Sequence, residues 1–327
     1  MTQTLSQDIK KILVTSRHAP SSHNSQPWQV SIAGHIVTLG YVPERHLTVG
    51  DPDKRELFIS LGCFIESFVS MAHILGYRVK ITYTGEQPSQ VARLELHQQS
   101  TGQQAVDQLD KLIEQRRSDR RFYESTKLEP AAATALQQLR EGKTQFRLFT
   151  DKTTIEFLAQ QTSEATYATM SNPAFRAELA SWIRNNWTKQ PDGMPAYTQG
   201  IPGPISLLAK FIIKKNQAVA KDQAKKDSKR VVHSAAVGLI CSEQQTVAGW
   251  LDAGRLYQRA CLTAQSHGVK TSGVSAAIIY PQTTQAIIKK LDLPGQPVAL
   301  LRFGYTKNNP KASPRLSVHQ FVVSDES

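Results

Sequence analysis

Cysteine is scarce in this chain: Cys63, Cys241 and Cys261 are the only thiols in 327 residues. The count is odd and no pair has zinc or redox spacing, which excludes a disulfide framework, a zinc knuckle and a thioredoxin-type motif. All three sit in apolar or helical contexts, so buried, inert thiols are expected, as suits a reducing compartment. No apolar run follows a basic start at the N-terminus, so no signal peptide is expected. The apolar run at 205–213 is broken by Lys210 and is too short to span a bilayer. The expected location is the cytoplasm. None of the nine histidines falls in an H-E-x-x-H pattern, and no G-x-G-x-x-G follows a strand, which argues against a zincin and a Rossmann dinucleotide domain.

Acid is also in short supply, 27 Asp and Glu against 39 Lys and Arg, for a net charge of +12. Half of that surplus lies in one window, 210–230, with eight basic residues and two acids (Asp222 and Asp227). No nucleic-acid-binding motif accompanies it, so a solvated helix face is expected, with neither a nucleic-acid nor a membrane partner. A positive surface near a site would still steer phosphate-bearing ligands toward it. With 40% hydrophobic and 20% charged residues the chain reads as globular. Its length allows one large domain or two ordinary ones.

The pattern is mixed α and β. A helix is expected over 6–17 with Ser6 as its cap, followed by a loop. Alternating strands "WQVSIAG" and "IVTLGYV" form a hairpin candidate, and "RVKITYT" and "VARLELHQQ" are two more. Between them lies a long helix ending at Gly76. A related helix occurs later: aligning "LGCFIESFVSMAHILGY" with "AGRLYQRACLTAQSHGV" pairs Gly62 with Gly254, Ala72 with Ala264 and Gly76 with Gly268. The first glycine of each reads as a close backbone approach and the second as a left-handed helix stop. Two related halves follow from this, 1–105 and 106–327. In the second, helices are expected over 105–117, 130–140, 153–170, 173–187 and 283–291, and strands at "FRLFT", "VVHSAAVGLICS" (one strand or a pair) and "PVALLRFGY".

Two stretches carry the chemistry. "APSSHNSQPW" packs prolines, serines, amides and one histidine beside a tryptophan. "QRRSDRRF" holds four arginines in six positions, a donor set suited to phosphate or to a solvated surface. Together they resemble the nitroreductase family of flavoproteins, most closely its Acg-like subgroup, linked to dormancy in mycobacteria. The resemblance covers most of the chain, except 188–245, which has no counterpart in ordinary members. In the family the arginine–serine motif precedes the proline–serine loop and each site draws on two subunits. Here the loop comes first and the motif second.

The resemblance therefore implies an α+β nitroreductase-like fold, a monomer built as an intramolecular pseudo-dimer, with further association of pseudo-dimers left open, and a lid insertion at about 188–245. It implies one FMN per chain. Pro20, Ser21, Ser22 and Asn24 would border the flavin ring. Arg116 and Ser118 match the family's phosphate contacts, and Arg117 the ribityl or phosphate region. Arg120 matches the basic residue at the pyrimidine edge, where positive charge stabilises reduced flavin. Arg315 is the C-terminal phosphate contact, with Lys311 as the alternative, and the 268–275 turn would bring backbone N–H groups to the ring. His23 is either a substrate contact and proton source or a cap of its own loop. The implied activity is hydride transfer from a transiently bound NAD(P)H to FMN, then to a small-molecule acceptor such as a nitro compound or quinone. The alternative is an FMN storage protein whose lid allows little turnover.

Overall fold

The computed structural model describes residues 3–99 and 109–323. Helix α1 (Gln3–Ser16) starts before Ser6, so that residue lies inside the helix rather than capping it. Its buried face is Ile9, Ile12 and Leu13. Strands β1 (Trp28–Ala33) and β2 (Ile36–Tyr41) form the expected hairpin. Gly34 takes the first turn position at φ 61°, the place where a two-residue hairpin favours glycine. Helix α2 (Arg55–Ile74) leads into β3 (Tyr77–Gln87) and β4 (Gln90–Gln98). The four strands form one antiparallel sheet, in the order β1-β2-β4-β3. Val30, Val37, Leu39 and Leu94 of that sheet share a core with α1 and with Phe64 and Phe68 of α2.

The second part starts, within the described residues, at α3 (Leu109–Gln115); the expected helix start at Ala105 lies outside them. Next come α4 (Pro130–Gln137), β5 (Arg140–Glu141), β6 (Thr144–Phe149), α5 (Lys152–Ser171), α6 (Pro173–Trp182), β7 (Ile183–Arg184) and β8 (Met194–Pro195). They are followed by α7 (Gly203–Ser206), α8 (Ala209–Lys215), α9 (Ala218–Val232), β9 (Ala236–Ser242) and α10 (Val247–Ser266). The last elements are β10 (Lys270–Gly273), α11 (Ala276–Ile279), α12 (Pro281–Lys290) and β11 (Gln296–Gly304). Local chemistry sets several of these starts. Asp151 accepts from the Thr154 amide at α5, Asn172 from the Ala174 amide at α6, and Thr246 from the Gly249 amide at α10.

The second sheet is antiparallel, in the order β10-β11-β9-β6-β5. Three expectations need correction. The helix from Pro130 stops at Gln137, and Arg140 begins a strand. The helix from 173 stops at Trp182. "VVHSAAVGLICS" is split, because Val231 and Val232 end α9 and only 236–242 is strand. That strand is buried at every residue and pairs on both sides. An insertion drawn over 188–245 therefore runs into the middle of the second sheet.

Helices α2 and α10 join the two parts. A Cβ on Gly62 would meet the Leu251 carbonyl and lie 2.8 Å from the Gly254 Cα; one on Gly254 would meet the Ile59 carbonyl and lie 2.8 Å from the Gly62 Cα. The two glycines paired by sequence alignment thus touch each other, reciprocally. Beside them Glu66, buried, takes hydrogen bonds from Arg255 (3.1 Å) and Arg259 (2.9 and 3.0 Å). Helix α2 is long and apolar enough to cross a bilayer, but 78% of its apolar window is buried inside the protein. The C-terminal segment returns to the first sheet, where Val30 exchanges backbone bonds of 2.8 Å with Phe321 and Val323.

Candidate functional site

The 20–27 loop is held in an unusual backbone shape. His23, Asn24 and Gln26 have φ of 52°, 55° and 50°, three of the four non-glycine residues with positive φ among those described. Such conformations cost about 1–3 kcal/mol each and persist only where the surroundings enforce them. The enforcing contacts are explicit. The Gln26 amide donates to Ser21 Oγ at 3.0 Å, and its side chain donates to the Pro191 carbonyl (2.8 Å) and accepts from the Leu316 amide (2.8 Å). Trp28 is fully buried and packs on Phe64 at 5.2 Å.

Two adjoining cavities open beside this loop, of about 490 and 560 Å³. Each is within the range of small-molecule sites, roughly 300–1,000 Å³. They share Pro20, Ser21, Ser118, Arg120 and Arg230 in their walls. All ten residues expected at a site line one or both. Ser22 and His23 face the first; Asn24, Arg116, Arg117 and Arg315 face the second.

The second cavity is cationic. Its wall holds Arg116, Arg117, Arg120, Arg121, Arg230 and Arg315 with Lys226, Lys311 and His18. Its acid, Asp119, is already paired with Arg121 at 2.6 and 2.9 Å. The four arginines of the motif thus divide by task. Arg121 clamps Asp119 and the Thr306 hydroxyl (2.9 Å), so it is structural. Arg117 donates to the carbonyls of Glu114 (2.5 Å) and Arg116 (2.9 Å). Arg116 is buried, donates to the His18 carbonyl at 3.2 Å and keeps its Nε unbonded. Arg120 lies where the cavities meet, with Arg230 as a repelling neighbour, so burial and Arg230 both push its pKa down.

Arg315 stands in the same wall, bonded to Asn24 Oδ1 and to the His18 carbonyl. Burial, then repulsion from Arg116, Arg117 and Arg17, lowers its pKa to about 9. Burial is the larger cause; the neighbouring arginines add to it, and like charges gathered in one wall suit an anion. Lys311, the other C-terminal candidate, also lines the cavity but lies 5.8 Å over the Tyr197 ring.

The first cavity is mostly aliphatic. Ile59 of α2, Met170 of α5, Leu179 of α6 and Ile212 and Ile213 of α8 are among its walls. One end is polar. Buried Glu56 accepts from Ser22 Oγ at 2.8 Å and Ser275 Oγ at 3.2 Å, tying the loop to the strand end after β10. Asp51 beside it accepts from the Glu56 and Leu57 amides at 2.9 Å; burial, and then Glu56, raise its pKa to about 8.

Ser22 and Asn24, expected to border the flavin ring, also make contacts within the chain. Ser22 is bound to Glu56, and Asn24 donates to the carbonyls of Gly193 (2.9 Å) and Pro314 (3.1 Å). Both brace the loop because its strained backbone needs fixed partners. In the 268–275 segment the Val274 amide is used by the Leu300 carbonyl at 2.8 Å. Gly268 ends α10 at φ 71°. Glu56, Asp51, His18 and Arg230 escaped the sequence reading. Glu56, Asp51 and Arg230 lie far along the chain from both motifs, and His18, next to the loop, acts through its carbonyl on the distant Arg116 and Arg315, so no local spacing marks them.

His23 Nδ1 is buried without a hydrogen-bond partner. Burial, and then Arg120, lower its pKa to about 4, so the ring is neutral at neutral pH. His18 is lowered to about 3 by burial and then by Arg315, Arg17, Arg117 and Arg116. Both folded pKa values lie below the unfolded value of about 6.5. Their contribution to stability is therefore complete above pH 6.5 and is lost as pH falls toward the folded values. Since His18 is only half-buried, about 1–2 kcal/mol is expected from it between pH 7 and 4.5 after allowance for screening. Thermal melts should show His18→Gln losing less stability than the parent over this range. Parallel pH profiles for the two proteins would discard the argument.

No family model matches the chain. Over 325 residues, 96% of this chain and 90% of theirs, it is 23% identical to two Mycobacterium tuberculosis proteins, "Putative NAD(P)H nitroreductase MT3217" of strain CDC 1551 and "Putative NAD(P)H nitroreductase Rv3131" of strain H37Rv. Solved structures that align with it include a nitroreductase with bound FMN from Bacteroides fragilis, with 10% identity, TM-score 0.40 and coverage of 64% of this chain and 95% of that one. Another is the FMN-dependent nitroreductase NfnB from Mycobacterium smegmatis in complex with NADPH, with 14% identity, TM-score 0.41 and coverage of 66% and 97%. This chain is thus similar over nearly its whole length to mycobacterial proteins named as NAD(P)H nitroreductases.

Proposed function

We propose that this protein binds one FMN per chain and works as a nitroreductase-like NAD(P)H oxidoreductase. The observation that carries the reading is the cationic cavity joined to an aliphatic one at Arg120 and Ser118. The donor set fits a flavin mononucleotide. Arg116, Arg117, Ser118 and Arg315 would hold the phosphate, relieving the repulsion that depresses Arg315. Pro20 and Ser21 border the junction where the ring would lie. When bound, FMN supplies two-electron chemistry, taking hydride from NAD(P)H and passing it to a nitro compound, a quinone or a similar acceptor.

The chain's own residues do the rest. Arg120 holds an unpaired positive charge at the junction, which favours an anionic ring edge. The aliphatic walls exclude water from the acceptor side. His23, neutral at neutral pH, offers a hydrogen bond to the acceptor rather than a stored proton. The reciprocal Gly62–Gly254 crossing and the return of 321–323 to the first sheet support an intramolecular pseudo-dimer, with halves 1–105 and 106–327. In this reading 188–235 is the lid, ending before β9.

One observation favours the storage reading: the covering segment is fastened down. Gly193 and Pro191 bind Asn24 and Gln26, Asp192 pairs with Arg45 at 3.1 Å, and Tyr197 donates to the Ala312 carbonyl at 2.8 Å. An anaerobic absorbance spectrum separates the two. A reductase should bleach its flavin band within seconds of adding NADPH or NADH. Flavin that stays oxidised under both reductants means storage, and a protein that takes up no FMN removes both readings.

A further inference from the structure

The covering segment has a second face. α8 turns Ala209, Ile212 and Ile213 toward the aliphatic cavity. On its other side Leu208 and Phe211 are 60% and 66% exposed. Leu207 is 63% exposed, Ile205 is 51% exposed at the cavity wall, and Trp187 is 62% exposed with its ring against Gly203 at the start of α7. These five include the four most exposed large hydrophobic residues among those described. Lys210, Lys214, Lys215 and Lys221 are exposed around them, and no acid occurs over 193–221.

We infer that this face, built from Trp187, α7 and α8, docks on the surface of an anionic lipid bilayer. The sequence alone suggested a solvated basic window; the structure puts a cluster of exposed apolar side chains beside its first lysines. Trp, Leu and Phe beside lysines, on one short helical surface, match the chemistry of interfacial insertion. The lysines then meet lipid headgroups of opposite sign.

Other occupants fit less well. A second copy of the chain on this face would be related by a two-fold axis, which would set the lysines of both copies against each other. The patch also offers only five apolar residues, where a stable protein interface uses about 20–30 residues a side. A nucleic acid would take the lysines but leave Leu207, Leu208 and Phe211 uncovered. Docking would also turn Ile205, where the exposed patch meets the cavity wall, toward lipid. That orientation suits an apolar acceptor dissolved in the bilayer, a consequence that rests on the oxidoreductase reading; the docking itself does not.

The test uses the full chain with vesicles of phosphatidylglycerol and phosphatidylcholine mixed equally, or of phosphatidylcholine alone. Co-sedimentation should be strong with the anionic vesicles. Their addition should shift Trp emission to the blue in the parent, and the shift should vanish in Trp187→Phe. Leu208→Glu with Phe211→Glu should lower partitioning at least tenfold while the melting temperature stays within a few degrees. Each Lys→Gln change at 210, 214 or 215 should lower it about fivefold. Failure of the parent to sediment with anionic vesicles overturns the proposal. So does equal sedimentation of the Leu208/Phe211 double variant, which would mean adsorption by charge alone. A dimer in light scattering that dissociates in that variant, without vesicle binding, assigns the face to a second copy instead. None of these readouts requires turnover, so loss of flavin reduction and loss of docking remain distinguishable.

Discussion

Alanine at Arg116 is expected to weaken FMN binding about a hundredfold, while riboflavin, which lacks the phosphate, binds as it does to the parent. The reason lies in the cationic wall. Arg116 is buried, its Nε has no partner, and its terminal nitrogen donates to the His18 carbonyl. A charge-assisted, fork-like contact to phosphate in so dry a place contributes about 2–3 kcal/mol, and 1.4 kcal/mol is tenfold in affinity. Ser118→Ala should cost less, on the order of tenfold, because a neutral hydroxyl gives a weaker bond. Arg121→Ala is the contrasting change. That side chain is engaged by Asp119 and Thr306, so its loss should lower stability more than FMN affinity. Titration calorimetry with both ligands decides the matter. If Arg116→Ala holds FMN as tightly as the parent, or loses riboflavin equally, the phosphate does not lie against Arg116.

How much of this was legible in the sequence depends on the range of the contact. The hairpin strands and both long helices follow from local alternation and helical spacing, and they stand where that pattern put them. The two motifs were legible as donor sets, and the fold brings both to one pair of cavities. Their internal division of labour was not. Arg116 and Arg121 look alike in "RRSDRR", but Asp119 takes Arg121, while Arg116 has no acid among the described residues and keeps its Nε unbonded. Nothing in the loop sequence marks Glu56 of α2, 2.8 Å away, as the partner of the Ser22 hydroxyl. The end of α9 was misread because Val231 and Val232 have β-prone side chains, yet packing of the helix decides their state. In the covering segment, alternation of apolar and basic residues gave no sign of which apolar side chains face the cavity and which face solvent.

The largest effect on stability is expected at the helix crossing. Adding one methyl at Gly62 would drive it into the Leu251 carbonyl and to 2.8 Å from the Gly254 Cα. Both obstacles are backbone, so no rotamer change relieves the clash and the two helices must separate. They are also fixed in register, since Cys63 Sγ donates to the Gly254 carbonyl at 3.1 Å and Glu66 holds Arg255 and Arg259. Overpacking of a core costs about 1–3 kcal/mol even where side chains can adjust. With rigid backbone on both sides, Gly62→Ala should cost about 3–4 kcal/mol, and Gly254→Ala a similar amount because the contact is reciprocal. Gly76→Ala serves as the reference: its φ is 81°, but nothing stands within 4 Å, so only the left-handed strain of about 1–2 kcal/mol applies. Urea melts of the three variants test the ordering, and a Gly62→Ala cost below that of Gly76→Ala would rule out a close crossing. The same change should reach the site. Ile59 and Cys63 of α2 and Tyr257 of α10 flank the crossing and line the aliphatic cavity, so helices pushed apart there also widen the walls that would enclose the flavin. Gly62→Ala should therefore retain FMN less tightly than Gly76→Ala, although neither residue touches the phosphate-binding arginines.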